Sequence, residues 1–169
     1  MKTITAMFLS ICVLEITAFQ SSTFVTPSGR RMGRMFSSTR PEFAIDFEMP
    51  AKGITEYGTA QLRMAPVLAA SEPVIVRYRL PFGLDVAPPN SEGLCVCSKG
   101  GTGGEQPGDV LRFTTYWRGK TPGLYDVVKQ TKAGGAKAWD ATVAALVSND
   151  LGVTDEIVLV FERPTPPSA

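Results

Sequence analysis

The chain contains no histidine, and that absence removes more chemistry than any residue present adds. Ser-His-Asp and Cys-His nucleophile pairs, His-ligated metals and His proton shuttles are excluded together. The commonest side-chain ligand of haem iron and chlorophyll magnesium goes with them. Of the three cysteines, Cys12 lies in an apolar amino-terminal run, whereas Cys95 and Cys97 form a C-x-C pair. On a strand that spacing turns both thiols to one face. Two thiols complete neither a zinc site nor a disulfide framework, so the pair reads as small core residues or as a redox couple. Asp85, Asp109, Asp126 and Asp140 are scattered over expected turns and a helix start, where turn and capping roles account for each. No catalytic residue, no metal and no cofactor is expected, and the chain reads as a non-enzyme.

Two stretches offer backbone chemistry instead. Lys99-Gly100-Gly101-Thr102-Gly103-Gly104-Glu105 is glycine-rich, but it lacks the Gly-Lys-Ser/Thr ending of a phosphate loop and leads into a strand-like segment, not a helix. It reads as a flexible loop. Pro81-Phe82-Gly83-Leu84-Asp85-Val86 directly follows Val74-Ile75-Val76-Arg77-Tyr78-Arg79, whose alternation predicts a strand with Val74, Val76 and Tyr78 on one face. A glycine between large apolar residues just after a strand fits a tight turn. Such a turn aims successive N–H groups into one concavity suited to a carboxylate or another anion. A plain strand connection with no ligand is the alternative.

The elements that must position these residues fit in one domain with tails, since the chain has 169 residues. An apolar content of 44% beside 20% charged residues is that of a soluble globular protein. Net charge is +1 but unevenly spread. Lys2, Arg30, Arg31, Arg34 and Arg40 face the single acid Glu15 in the first forty residues, which leaves the remainder net acidic. No cluster of Lys and Arg marks a nucleic-acid footprint, and no nucleic-acid partner is expected.

Residues 1–18 read as a signal peptide: Lys2, then an apolar run from Ile4 to Ala18 that Glu15 interrupts and that is too short for a confident membrane span. From Phe19 to Arg40 the chain is rich in Ser, Thr and Arg and has no acid, which is transit-peptide composition. A signal core, a small residue, a Phe and an acid-free Ser/Arg segment together resemble the bipartite plastid presequence of algae with red-lineage secondary plastids, such as diatoms. That resemblance implies a plastid stromal destination, because no second apolar run follows Arg30-Arg31. An ordinary secreted protein with a basic propeptide is the alternative, and the missing disulfide pattern counts against it. Maturation is expected near Arg40 or as late as Arg63-Met64-Ala65. Residues 41–72 read as an extended arm. Phe43, Ile45 and Phe47 alternate there with Asp46 and Glu48, and Pro50, Gly53, Gly58 and Pro66 break any regular element.

Over residues 73–163 the pattern predicts strands at 74–80, 84–87, 94–98 and 109–116 and a long connection over 118–136. A helix over 138–148 and a last strand at 156–162 follow, with 164–169 as a tail. The nearly unbroken apolar run Ile157-Val158-Leu159-Val160-Phe161 places that last strand centrally, with both faces covered. The order of strand, Pro81-Phe82-Gly83-Leu84, Pro107-Gly108-Asp109-Val110-Leu111, Ala141-Thr142-Val143-Ala144-Ala145-Leu146 and closing strand resembles a PDZ domain. The long connection before Trp139-Asp140-Ala141-Thr142-Val143 and Asn149 is similar to an insertion in plant plastid PDZ-like proteins that assemble or maintain thylakoid photosystems.

The resemblance implies an α+β fold: a PDZ-like, small, partly open β-barrel or sandwich of five to six strands, one groove helix and an inserted connection. It implies a partner site at Pro81, Phe82, Gly83, Leu84, Val86, Trp139, Val143 and Leu146, where the N–H groups of Phe82, Gly83 and Leu84 would receive a terminal carboxylate. The functional expectation is a non-catalytic stromal accessory subunit, peripheral on the thylakoid and without a transmembrane helix in the mature chain. Its partners would be photosystem core subunits, those of photosystem I first. The alternatives are a transient assembly or maintenance factor that binds subunit tails, and the peptide-binding module of a plastid protease system.

Overall fold

The computed structural model describes residues 40–53, 55–134 and 136–166. The signal and transit segments expected over 1–18 and 19–40 lie outside the described residues, apart from Arg40, as does the end of the 164–169 tail. Among the described residues no helix is long and apolar enough to cross a membrane.

The fold is α+β, with two antiparallel sheets and two helices. Strands β1 (Phe43–Glu48) and β2 (Thr59–Met64) form a hairpin; β3 (Ser71–Arg79), β4 (Val110–Arg118), β5 (Thr121–Asp126) and β6 (Glu156–Pro164) form a four-stranded sheet in the order β3-β6-β4-β5. Helices α1 (Val127–Gly134) and α2 (Ala136–Val147) lie between β5 and β6. No closed barrel forms among the described residues, and a second helix joins the one that was expected.

Strand β6 is central because both of its faces are covered. Ile157, Leu159 and Phe161 pack with Val76, Leu111, Cys95 and Cys97 on one side, and Val158 and Val160 pack with Phe113 on the other. Strand β4 shows why a simple alternation reading does not suffice. Leu111 and Phe113 have the same parity yet lie in opposite cores, because the register with β6 shifts between them. A bulge of this kind inserts one residue and re-aims all that follow.

The residue at the bulge is Arg112, which pairs with the fully buried carboxylate of Glu162 on β6. That carboxylate also accepts from the Val67 N–H (2.9 Å), the Leu68 N–H (2.8 Å) and the Ser71 hydroxyl (2.7 Å), while Arg112 donates to the Ala65 carbonyl at 3.0 Å. Residues 65–70, between hairpin and sheet, and Ser71 at the start of β3 are thereby fastened to the centre of the fold. Burial pushes the Glu162 pKa up, but the bonds from Ser71, Leu68 and Val67 and the Arg112 charge outweigh it, and the net value lies below the ordinary carboxylate one.

The segment expected as an extended arm is therefore a folded cover. In the hairpin register Ile45 faces Leu62 and Phe43 faces Met64, so Phe43, Ile45, Phe47, Leu62 and Met64 share one face and pack on Phe113, Val158 and Val160. Gly53 and Gly58, which were expected to break regular structure, lie in the hairpin connection with positive φ, a conformation glycine adopts without strain. The expected strands at 84–87 and 94–98 are reduced to the isolated bridges Val86–Cys97 and Val96–Val110. The long connection over 118–136 is not a loop. It holds β5, hairpinned to β4, and then α1, whose first turn is capped by the Asp126 carboxylate accepting from the Lys129 N–H at 2.9 Å.

Two consequences are testable. A chain beginning at Ala65 strips the cover from Phe113, Val158 and Val160, each worth about 1.5–3 kcal/mol when buried; its urea midpoint should fall sharply, and it should bind a dye that reports exposed apolar surface. Because the folded pKa of Glu162 is depressed, its contribution is present above the ordinary carboxylate value and is lost as pH falls through the lower folded value. Glu162→Gln should therefore cost about 3–5 kcal/mol at neutral pH, read by urea unfolding, and should flatten the decline of stability on the acid side.

Candidate functional site

Helix α2 has a small face and a large one. Ala138, Thr142 and Ala145 are buried, and the Thr142 hydroxyl is satisfied inside the helix by the Ala138 carbonyl at 2.8 Å. The neighbouring face carries Trp139, Val143, Leu146 and Val147, the positions one and two turns apart that line up on a helix. The carboxyl end is fixed to β4. Asn149 donates through Nδ2 to the carbonyls of Thr115 (2.7 Å) and Ala145 (3.0 Å) and accepts from the Thr115 hydroxyl at 3.0 Å. The Ser148 hydroxyl accepts from the Trp117 N–H at 2.9 Å. The bond to Ala145 satisfies a helix-end carbonyl, and the others tie the end of the helix to β4.

The facing wall begins where β3 ends. Leu80 donates to the Asp155 carbonyl at 3.0 Å. The Phe82 ring stacks on Tyr78 with centroids 5.8 Å apart, and Tyr78 is held in turn by the Gly103 N–H (3.0 Å) and by Glu105. A Cβ at Gly101 or Gly103 would collide with Tyr78 and with Glu105 or Val76. Close packing thus explains the glycine-rich loop, which was expected to be merely flexible. Residues 84–87 then run extended and, among the described residues, pair on one side only: the Ser98 N–H donates to the Asp85 carbonyl (2.8 Å) and Ala87 donates to the Val96 carbonyl (2.9 Å). Alternation of the ladder leaves the N–H and C=O groups of Leu84 and Val86 pointing the other way. Among the described residues the N–H groups of Phe82, Gly83 and Leu84 have no protein acceptor.

Between the two walls lies a groove of about 480 Å³. Of the residues singled out from the sequence, Pro81, Phe82, Leu84, Val86, Trp139, Val143 and Leu146 line it; Gly83, expected to make a tight turn, lies past the bend at Leu80 and Pro81 without a positive φ and contributes no lining. Sequence reasoning missed Leu80, Val147, Asp150 and Leu151. Val147 and Leu151 continue the four-residue spacing from Val143, and that spacing was the available signal. These apolar side chains are notably open to solvent: Val143 is 39%, Val147 70% and Leu151 58% exposed. Past Trp139 the groove runs on into a polar cavity of about 590 Å³ lined by Pro88 to Gly93, Thr131, Lys132 and Asp140.

The candidate chemical groups are otherwise occupied. Asp109 is buried and accepts from the Gln106 N–H (2.8 Å) and from Arg163 (2.7 Å), and Asp126 caps α1. Asp140 lies inside α2 and lines the polar cavity, so the capping role expected of it is not the one it has. Cys95 and Cys97 are free thiols in the core beneath the groove. Burial pushes the Cys95 pKa up to about 11; burial and then the charges of Glu105, Asp109 and Asp85 raise that of Cys97, whose thiol donates to the Lys99 carbonyl at 3.0 Å. Among the described residues no three His, Cys, Asp or Glu side chains cluster as metal ligands do.

No family model, curated protein or solved structure matches this chain.

Raised pKa and burial together make both thiols poor nucleophiles. In the native protein Cys95 and Cys97 should resist an aromatic disulfide reagent at mildly alkaline pH and react fully once urea unfolds the chain. Fast native reaction of either thiol would revive the redox reading.

Proposed function

We propose that this chain is a non-catalytic docking module of PDZ-like design that takes one extended segment of a protein partner, and that it serves as a stromal accessory subunit of a thylakoid photosystem, photosystem I first. The observation that carries the docking part is the pairing of an apolar, solvent-open groove with a strand that is hydrogen-bonded on one side only. A segment laid along Leu84 and Val86 gains main-chain hydrogen bonds from the free edge, while its side chains enter the groove and cover Val143, Val147 and Leu151. Exposed apolar surface of this kind, framed by polar residues, is characteristic of interaction sites.

The PDZ-like reading is supported by the order of β3, the Pro81–Leu84 connection, the paired stretch at 85–87, the Gly108-Asp109 turn, β4, α2 and β6. This chain departs from the simple form in the hairpin cover and in the β5–α1 insertion. The plastid part is supported by the presequence resemblance in residues 1–40, and the photosystem part by the similarity of the connection before Trp139-Asp140-Ala141-Thr142-Val143 and Asn149 to the insertion of plant plastid PDZ-like proteins.

Mass spectrometry of detergent-solubilised thylakoids, fractionated by size, tests the whole reading. The expected result is a constant ratio of this chain to mature photosystem cores, lost when Val143→Asp places a charge in the groove. Presence with immature complexes alone would make it an assembly factor. Recovery only as free soluble protein would overturn the photosystem assignment.

A further inference from the structure

Resting on the reading of the groove as a docking site for an extended segment, we infer that the segment it takes is an internal stretch with basic residues on both sides of an apolar centre, not a free carboxyl-terminal tail. The distribution of charge along the groove carries this. Among the described residues Asp150 is the one charged residue that lines the apolar half, and no Lys or Arg joins it there. It belongs to the loop that closes the groove at Leu80 and Pro81, where Leu80 donates to the Asp155 carbonyl. The same end holds the unpaired N–H groups of Phe82, Gly83 and Leu84. A terminal carboxylate seated on them would meet Asp150 with no lining cation to offset it. The carbonyl of a continuing chain uses the same donors without a formal charge.

At the other end the groove passes Trp139 into the polar cavity, where Glu92 and Asp140 outnumber Lys132. Acid therefore stands at both ends and apolar surface in the middle. From Asp140 to Asp150 along and past α2 is roughly 10–15 Å, a span of about three to four extended residues. The complementary segment has an apolar stretch of that length with Lys or Arg at each end, and complementarity of this kind also rejects acidic competitors.

Fluorescence anisotropy on the full chain tests it with three labelled synthetic peptides. One is an amidated peptide with lysines flanking a Val/Phe centre; the second is its twin with glutamates in place of the lysines; the third has the same apolar stretch ending in a free carboxylate. The lysine peptide is expected to bind roughly tenfold more tightly than its glutamate twin at low ionic strength, with the gap closing as salt is added. Asp140→Asn combined with Asp150→Asn, both at exposed positions, should narrow that gap severalfold, and Val143→Asp should abolish binding. Tightest binding by the free-carboxylate peptide, unaffected by the two Asn substitutions, overturns the inference and leaves the docking reading standing. Lysine-peptide binding that survives Val143→Asp is adsorption to surface charge and also overturns it. No binding by any of the three overturns the docking reading itself.

Discussion

The fold depends on one of its buried carboxylates. Glu162 stands on the central strand, where both neighbouring positions of the sheet are apolar, and isolated it would be far too costly to hide from water. It is tolerable because Arg112 reaches it from the adjacent strand and because two backbone N–H groups and a serine hydroxyl complete its coordination. Ion pairs of this type give little net stability compared with apolar residues of similar volume. Their effect is on register, since any slip of β4 against β6 leaves one charge without its partner. The bulge that places Arg112 there also sends Leu111 and Phe113 to opposite faces, so the two cores of the molecule are partitioned at the same point. Through Ala65, Val67 and Leu68 the hairpin is joined to that point as well.

The groove follows from the packing on the opposite side of the sheet. Small side chains on α2 let the helix lie close to β4, and Ser148 and Asn149 fix its carboxyl end there. With the helix held so close, Trp139 and Leu146 pack at the edge of the core while Val143 and Val147 stay open to solvent beside it. The hairpin contributes to this arrangement at a distance, because Lys52 and Gly53 in its connection donate to Leu151 and Asp155, the loop that ends the groove. Leu151 thus presents its side chain to the groove while its carbonyl is held from behind.

Much of the site was legible in the sequence because it is local. The helix face of Trp139, Val143 and Leu146 follows from spacing alone, but the tight turn expected at Gly83 is not there: Gly83 has no positive φ and open space where a Cβ would stand, and the chain bends at Leu80 and Pro81 instead. The central position of β6 was likewise readable, since an unbroken apolar run needs cover on both sides. What escaped was non-local. The alternation of Phe43, Ile45 and Phe47 was visible, but the glycines and proline that follow look like breakers when read singly and form a hairpin connection only once β2 is known to pair with β1. The insertion after β4 conceals its strand because Pro122 and Gly123 weaken the propensity signal, and pairing with β4 decides the matter instead. The register shift at Arg112 leaves no pattern in composition, because a bulge is set by the partner strand.

The one-sided pairing of residues 84–87 has a further consequence for how the molecule behaves in a crowded compartment. A strand with a bare edge is a template for copies of itself, and long bare edges lead to indefinite polymerisation. Here the exposed run is only as long as Leu84 and Val86, because the next position of the same parity is Pro88, which has no N–H to offer. Its neighbour α2 walls the remaining side, so an incoming strand must be single, narrow and already extended. The arrangement leaves room for one short visitor while denying the repeated edge-to-edge growth that leads to fibres.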